Sequence, residues 1–102
     1  MWPDRRIIEL FAIDLPIIQA PMAGSSGPDL AIAVAEAGGL GSLPCAMLTP
    51  DQLKSQWGIV RQRTSRPINV NFFCHNPPKP DPTRDKIWRQ RLAPYYAEFG
   101  LD

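Results

Sequence analysis

Three short runs of apolar and β-branched residues are separated by stretches too long for a hairpin turn. The runs are residues 15–20 (LPIIQA), 40–43 (LGSL) and 68–73 (INVNFF). Antiparallel strands can be joined by a two-residue turn, whereas parallel strands need a crossover of a dozen or more residues, usually a helix. Both intervening stretches have that length and read as helical, which makes two βαβ units. Such crossovers are right-handed in nearly all proteins. The spacing therefore predicts an α/β fold with three adjacent parallel strands in the order 1-2-3 and helices on one side.

Punctuation between the runs supports this order. Ser25-Ser26-Gly27-Pro28-Asp29 is a helix entry, with Gly27 or Ser26 as cap and Pro28 in the first turn. Residues 30–37 are almost all Ala, Ile, Val and Leu, and Gly38 is suited to the left-handed position that ends a helix. Thr49 and Pro50 then stand as N-cap and first helical residue, and Gln52 completes a capping box. Leu53, Trp57 and Val60 recur at helical spacing and give that helix one apolar face. Residues 76–82 hold four prolines, which exclude helix and central strand and predict a stiff extended loop. Thr83 is placed to cap a last helix over about 84–99, with Ile87, Leu92, Tyr95 and Phe99 on its apolar side and Pro94 dividing or kinking it. A three-stranded parallel sheet with an open edge is unfinished. The pattern is expected to be the N-terminal part of a larger α/β protein, residues 1–102 forming about three βα units of one domain.

Composition narrows the function. The chain has 102 residues, at most one ordinary domain and less than half the usual length of a (β/α)8 barrel. Lys and Arg number 11 against 10 Asp and Glu, a balance that argues against an electrostatically driven nucleic-acid binder. Hydrophobic residues at 44% fit a globular chain, and two cysteines are too few for a disulfide framework. No run of 18 apolar residues predicts a membrane span, and the residues after Arg5-Arg6 lack the features of a secretory or twin-arginine signal. A cytoplasmic protein with reduced thiols is the expectation.

Two motifs sit where ligands bind in α/β folds, beyond the carboxyl ends of parallel strands. Pro21-Met22-Ala23-Gly24 directly follows the first run. Small residues there let a flat cofactor approach the backbone, although an ordinary βα turn can also hold Pro and Gly. Asn69 and Asn71 fall on one face of the third strand, because side chains alternate with period two. At the strand end, the Asn71 amide offers one donor and one acceptor to a heterocycle, or else braces the adjoining loop. Asn69 lies deeper, at a structural position.

Other candidates carry less. Gly38-Gly39-Leu40-Gly41 follows a helix and precedes a strand, the reverse of a dinucleotide fingerprint. Cys45, Cys74 and His75 are too few and badly spaced for a zinc site, and no metal is expected. His75, the only histidine, follows the third strand and reads best as a solvated loop residue. The basic residues Lys79, Arg84, Lys86, Arg89 and Arg91 are diluted by Asp81 and Asp85 and read as a solvated helix face.

Residues 16–24 (PIIQAPMAG), 35–43 (AEAGGLGSL), 67–73 (PINVNFF) and 95–102 (YYAEFGLD) together resemble, in order, the opening of nitronate monooxygenase, formerly 2-nitropropane dioxygenase. Flavin-dependent enoyl-acyl-carrier-protein reductases begin in a similar way and are the alternative. The resemblance implies the N-terminal part of a (β/α)8 TIM barrel, parallel strands alternating with helices and here incomplete. It implies FMN as cofactor, and a small nitronate such as propionate 3-nitronate as substrate with O2. By the same resemblance Pro21, Met22 and Ala23 line the flavin through their backbone, Asn71 reaches the isoalloxazine or its side chain, and Met22 with Phe72 or Phe73 walls the ring. The family's catalytic histidine and phosphate loops come later in its chain, so no catalytic residue is assigned within residues 1–102 and His75 does not take that role. The 102-residue chain by itself is then expected to be inactive. A non-catalytic remnant serving as a packing or interaction module, with self-association of its open edge, is the reading from another class.

Overall fold

The computed structural model describes residues 2–101. Helix α1 (Arg6–Phe11) is followed by α2 (Pro28–Glu36), β1 (Gly41–Pro44), α3 (Pro50–Arg63), β2 (Ile68–Asn71) and α4 (Pro82–Phe99). β1 and β2 pair in parallel, Gly41 opposite Ile68 and Pro44 opposite Asn71. The run 15–20 is not a full strand. It touches the sheet at one parallel bridge, Ile18 to Leu40, where Gln19 N donates to Leu40 O at 3.0 Å and Leu40 N donates to Ile17 O at 2.9 Å. The predicted direction and order are therefore present, in the shortest form a bridge allows.

The helix ends follow local chemistry. Pro28 opens α2 behind Gly27, and Gly38 behind it has φ +98°. In α3 the capping box is complete: Thr49 Oγ1 accepts from Gln52 N, and Thr49 N donates to Gln52 Oε1. For α4 the cap moves two residues upstream of the expected Thr83. The Asp81 carboxylate accepts from Arg84 N, and Pro82 takes the first helical position. An ionised carboxylate is a strong N-cap acceptor, and a proline at the first position gives up an N–H that has no helical partner. Helix α4 also runs undivided through Pro94. The carbonyl that Pro94 leaves without a donor lies on an exposed helix, where water can satisfy it.

The core is one helix–sheet seam. Ala31, Ile32 and Ala35 of α2, Leu43 of β1 and Val60 of α3 are buried, with α2 packed on β1 and α3 packed on α2. Gly41 sets the closeness of that seam. A Cβ at Gly41 would stand 2.0 Å from the Ala31 carbonyl oxygen, so only hydrogen fits between α2 and β1. Because position 41 faces α2, Leu43 does so too, and Ser42 and Pro44 face the other side. Ile8 of α1 and Ile13 just after it are also buried.

Helix α4 lies outside the seam. None of its residues is buried, and Ile87, Trp88, Leu92, Tyr95, Tyr96 and Phe99 are all exposed. The radius of gyration is 19.5 Å, against about 13 Å for a packed chain of this length. No helix among the described residues is long and apolar enough to cross a membrane.

Candidate functional site at the strand ends

The carboxyl ends of the Ile18 segment, β1 and β2 lie side by side, because all three run the same way. Beyond the first, the chain turns over residues 22–26. Ser25 N and Ser26 N both donate to Met22 O, at 3.1 and 3.0 Å, and Ser26 Oγ donates to the same oxygen at 3.3 Å. Gly24 within this turn has φ +77°, a left-handed conformation that side chains disfavour. The turn leaves the Ala23 and Gly24 N–H groups without a protein acceptor among the described residues. Pro21 and Ala23 are half-buried and Met22 is exposed.

The sheet face opposite α2 carries a polar line. Ser42 Oγ donates to Gln19 O at 2.6 Å and accepts from Asn69 Nδ2 at 3.1 Å. The Gln19 side chain closes the line onto the backbone of Ser42, Nε2 donating to Ser42 O at 3.2 Å and Oε1 accepting from Ser42 N at 3.0 Å. Ser42 is fully buried yet satisfied at every polar atom on that side.

Asn69 and Asn71 now separate. Asn69 is spent on Ser42, as its depth in the strand suggests. Asn71 sits at the strand end, where its backbone oxygen accepts from Cys45 N at 2.9 Å. Its side-chain amide has no protein partner among the described residues and, by the period of the strand, shares the face of Asn69. The Asn71 end and the Pro21 end are two strand spacings apart, about 9.6 Å. A flat ring system can bridge that span, and Met22, Phe72 and Phe73 are all exposed.

Cys45 is buried behind this edge, and burial pushes its thiol pKa up. Phe73 and His75 stack loosely past the end of β2, ring centroids 5.6 Å apart, with His75 exposed. Neither group reaches the turn at Met22 through any hydrogen bond.

The nitronate monooxygenase family model matches residues 4–100. The chain belongs to the nitronate monooxygenase family. A nitronate monooxygenase of Pseudomonas aeruginosa is 45% identical over 97 residues, which are 95% of this chain and 28% of that protein. A probable nitronate monooxygenase of Staphylococcus aureus is 41% identical over 102 residues, 100% of this chain and 29% of that protein. Among solved structures, nitroalkane oxidase from Streptomyces ansochromogenes superposes with a TM-score of 0.74 at 38% identity, covering 92% of this chain and 27% of its own. FabK from Thermotoga maritima superposes with a TM-score of 0.66 at 39% identity, covering 71% and 23%. This nitronate monooxygenase family chain thus spans just over a quarter of the length of the curated relatives it matches.

Within the family segment, Gln19 and Ser42 were not marked by sequence reasoning as more than strand residues. The available signal was a serine inside an otherwise apolar run, one strand from an asparagine of the same facing.

Proposed function

We propose that this chain forms the opening of an FMN-dependent nitronate monooxygenase, a (β/α)8 barrel that oxidises alkyl nitronates such as propionate 3-nitronate with O2. One observation carries the reading. At the carboxyl end of a parallel sheet the Ala23 and Gly24 N–H groups and the Asn71 amide have no protein partner among the described residues, and the apolar Met22, Phe72 and Phe73 are exposed. A flavin pyrimidine edge asks for N–H and C=O partners at fixed places, and the rest of the ring asks for apolar walls. The residues present fit that group.

In this reading FMN supplies the redox chemistry between nitronate and O2. Pro21, Met22 and Ala23 would hold the ring through their backbone, Asn71 would fix its orientation, and Met22 with Phe72 or Phe73 would keep water from it. The phosphate anchor and the proton-accepting group come from parts of the enzyme outside these residues. Family membership and the similarity to nitroalkane oxidase support the substrate class.

The test uses the full-length protein that carries this segment. Flavin released on denaturation should be FMN in one-to-one amount, and propionate 3-nitronate should drive O2 consumption. A colourless protein that takes up no FMN would overturn the reading. Oxidation of NADH by an enoyl thioester, without nitronate turnover, would replace it with an enoyl-acyl-carrier-protein reductase.

A further inference from the structure

We infer that Gln19 is a positioning residue: its side-chain amide stands in for a missing rung of the sheet and so sets the direction in which the Pro21–Ala23 backbone leaves the strand. The inference rests on the proposed flavin contact of that backbone.

The first segment joins the sheet at the bridge between Ile18 and Leu40. In a regular parallel ladder this bridge dictates the next two bonds. Ser42 N–H would donate to Gln19 C=O, and the N–H of residue 21 would donate to Ser42 C=O. Residue 21 is proline and has no N–H. The second rung cannot form, and the buried Ser42 carbonyl would be left without a donor.

The observed bonds resolve this by exchange. Gln19 Nε2 donates to Ser42 O at 3.2 Å, replacing the donor that Pro21 lacks. Gln19 Oε1 accepts from Ser42 N at 3.0 Å, taking over the role of its own backbone carbonyl. That carbonyl, released from the ladder, accepts instead from Ser42 Oγ at 2.6 Å. Asn69 Nδ2 holds the hydroxyl from the other side at 3.1 Å. Each polar group of the two residues that the ladder would have used is satisfied, and the Gln19 carbonyl is held by the Ser42 hydroxyl rather than by the ladder. The chain therefore departs at Ala20 and reaches the turn closed on Met22 O with its Ala23 and Gly24 N–H groups free. A side chain unable to both donate and accept would leave one buried backbone group of Ser42 unpaired.

The full-length holoprotein and its FMN-free form provide the test. Hydrogen exchange is read at the Ser25 and Ser26 amides, which report closure of the turn, and at Ala23 and Gly24, which report the cofactor. Gln19→Met removes both amide bonds at similar length. It should speed exchange at Ser25 and Ser26 about tenfold in the FMN-free form and weaken FMN binding by a similar factor. Gln19→Glu keeps the acceptor and lacks the donor until it is protonated. Its FMN affinity should fall as pH rises through the carboxyl range, roughly pH 4 to 7, while the unsubstituted protein stays flat there. That pH profile stays readable if Gln19→Met fails to fold.

Unchanged exchange and FMN affinity in Gln19→Met, or a flat profile in Gln19→Glu, would overturn the positioning role. FMN protection of Ala23 and Gly24 in the unsubstituted protein would in that case leave the proposed function standing. Faster exchange at Ser25 and Ser26 with no FMN protection at Ala23 or Gly24 would sustain the hold of Gln19 on the turn and overturn the placement of the cofactor against it.

Discussion

Arg66 reaches back to Asp14 across 52 positions, its Nη1 donating to Asp14 Oδ2 at 2.7 Å. The bond ties the entry of β2 to the entry of the Ile18 segment. Asp14 N and Leu15 N both donate to Gly38 O, at 2.8 and 2.9 Å, which ties in the entry of β1 as well. Thr64 Oγ1 donates to Glu36, and Arg66 N donates to Thr64 Oγ1 at 3.1 Å. The amino ends of the strands are thus fastened by side chains. At the carboxyl ends, polar groups are left unspent.

Exposure decides what the Arg66 pair is worth. The hydrogen bond from Asp14 raises the Arg66 pKa further, but both side chains are open to solvent. Asp14→Asn should therefore shift the urea midpoint only slightly in low salt, and not at all in 1 M NaCl, where such pairs are screened. A large loss that persists in salt would mean that the Asp14–Arg66 contact is worth more than its exposure allows.

Gly41→Ala should be the most damaging small substitution in the chain. The added methyl meets the Ala31 backbone at 2.0 Å, and backbone cannot swing aside as a side chain does. Overpacking of this kind costs about 1–3 kcal/mol and can exceed it. Gly58→Ala is the opposite case: its Cβ meets nothing within 4 Å, inside α3. It should gain about 0.5–1 kcal/mol. Equilibrium denaturation of the two variants checks both signs.

Asn69→Ala and Asn71→Ala should part company in the full-length flavoprotein. Asn71→Ala should weaken FMN by roughly ten- to a hundred-fold with little change in melting temperature, the usual cost of a lost buried partner being about 1–3 kcal/mol. Asn69→Ala removes the bond to Ser42 Oγ and should act mainly on stability. His75→Ala should leave turnover within a few-fold. Fluorescence quenching of added FMN, beside thermal melts, separates the cases. Equal effects of Asn69→Ala and Asn71→Ala on both readings would remove the distinction.

The two thiols should react in a fixed order. Cys45 is buried with its pKa pushed up, while Cys74 is exposed. Thiolate is the reacting form. Iodoacetamide at neutral pH should modify Cys74 and spare Cys45 until the chain unfolds. Because the folded pKa of Cys45 lies above its unfolded value, its contribution to stability is whole below the ordinary thiol range. It is lost as pH rises through the folded pKa. Mass spectrometry of the alkylated peptides reads the order.

Elements that rest on local chemistry were legible in the sequence: the capping box at Thr49, the proline start and glycine stop of α2, and the parallel order of strands. The family was legible because its motifs are contiguous, and of the site residues the turn at 21–24 and Asn71 fell where strand ends should be. What escaped depended on relations across the chain. Helix α1 is six residues long, under two turns, too short for its apolar residues to set a period. The Ile18 segment looked like a six-residue strand because its apolar run is continuous, while the proline that ends its ladder acts through Ser42 on the neighbouring strand. Pro94 signalled a break because propensity assumes that the orphaned carbonyl has no water. Thr83 lost to Asp81 because Pro82 is suited to the first helical position, which puts the cap on the residue before it.

The detachment of α4 has a consequence for the order of events at the ribosome. The contacts of α2 with β1, α2 with α3 and β1 with β2 all lie within residues 28–71, before the proline-rich stretch. Emerging amino end first, that segment can close its seam while α4 is still being made. A helix with bare Trp88, Tyr95 and Phe99 then leaves the ribosome unpacked. For that interval it is the part of the nascent chain that a holdase chaperone would grip first.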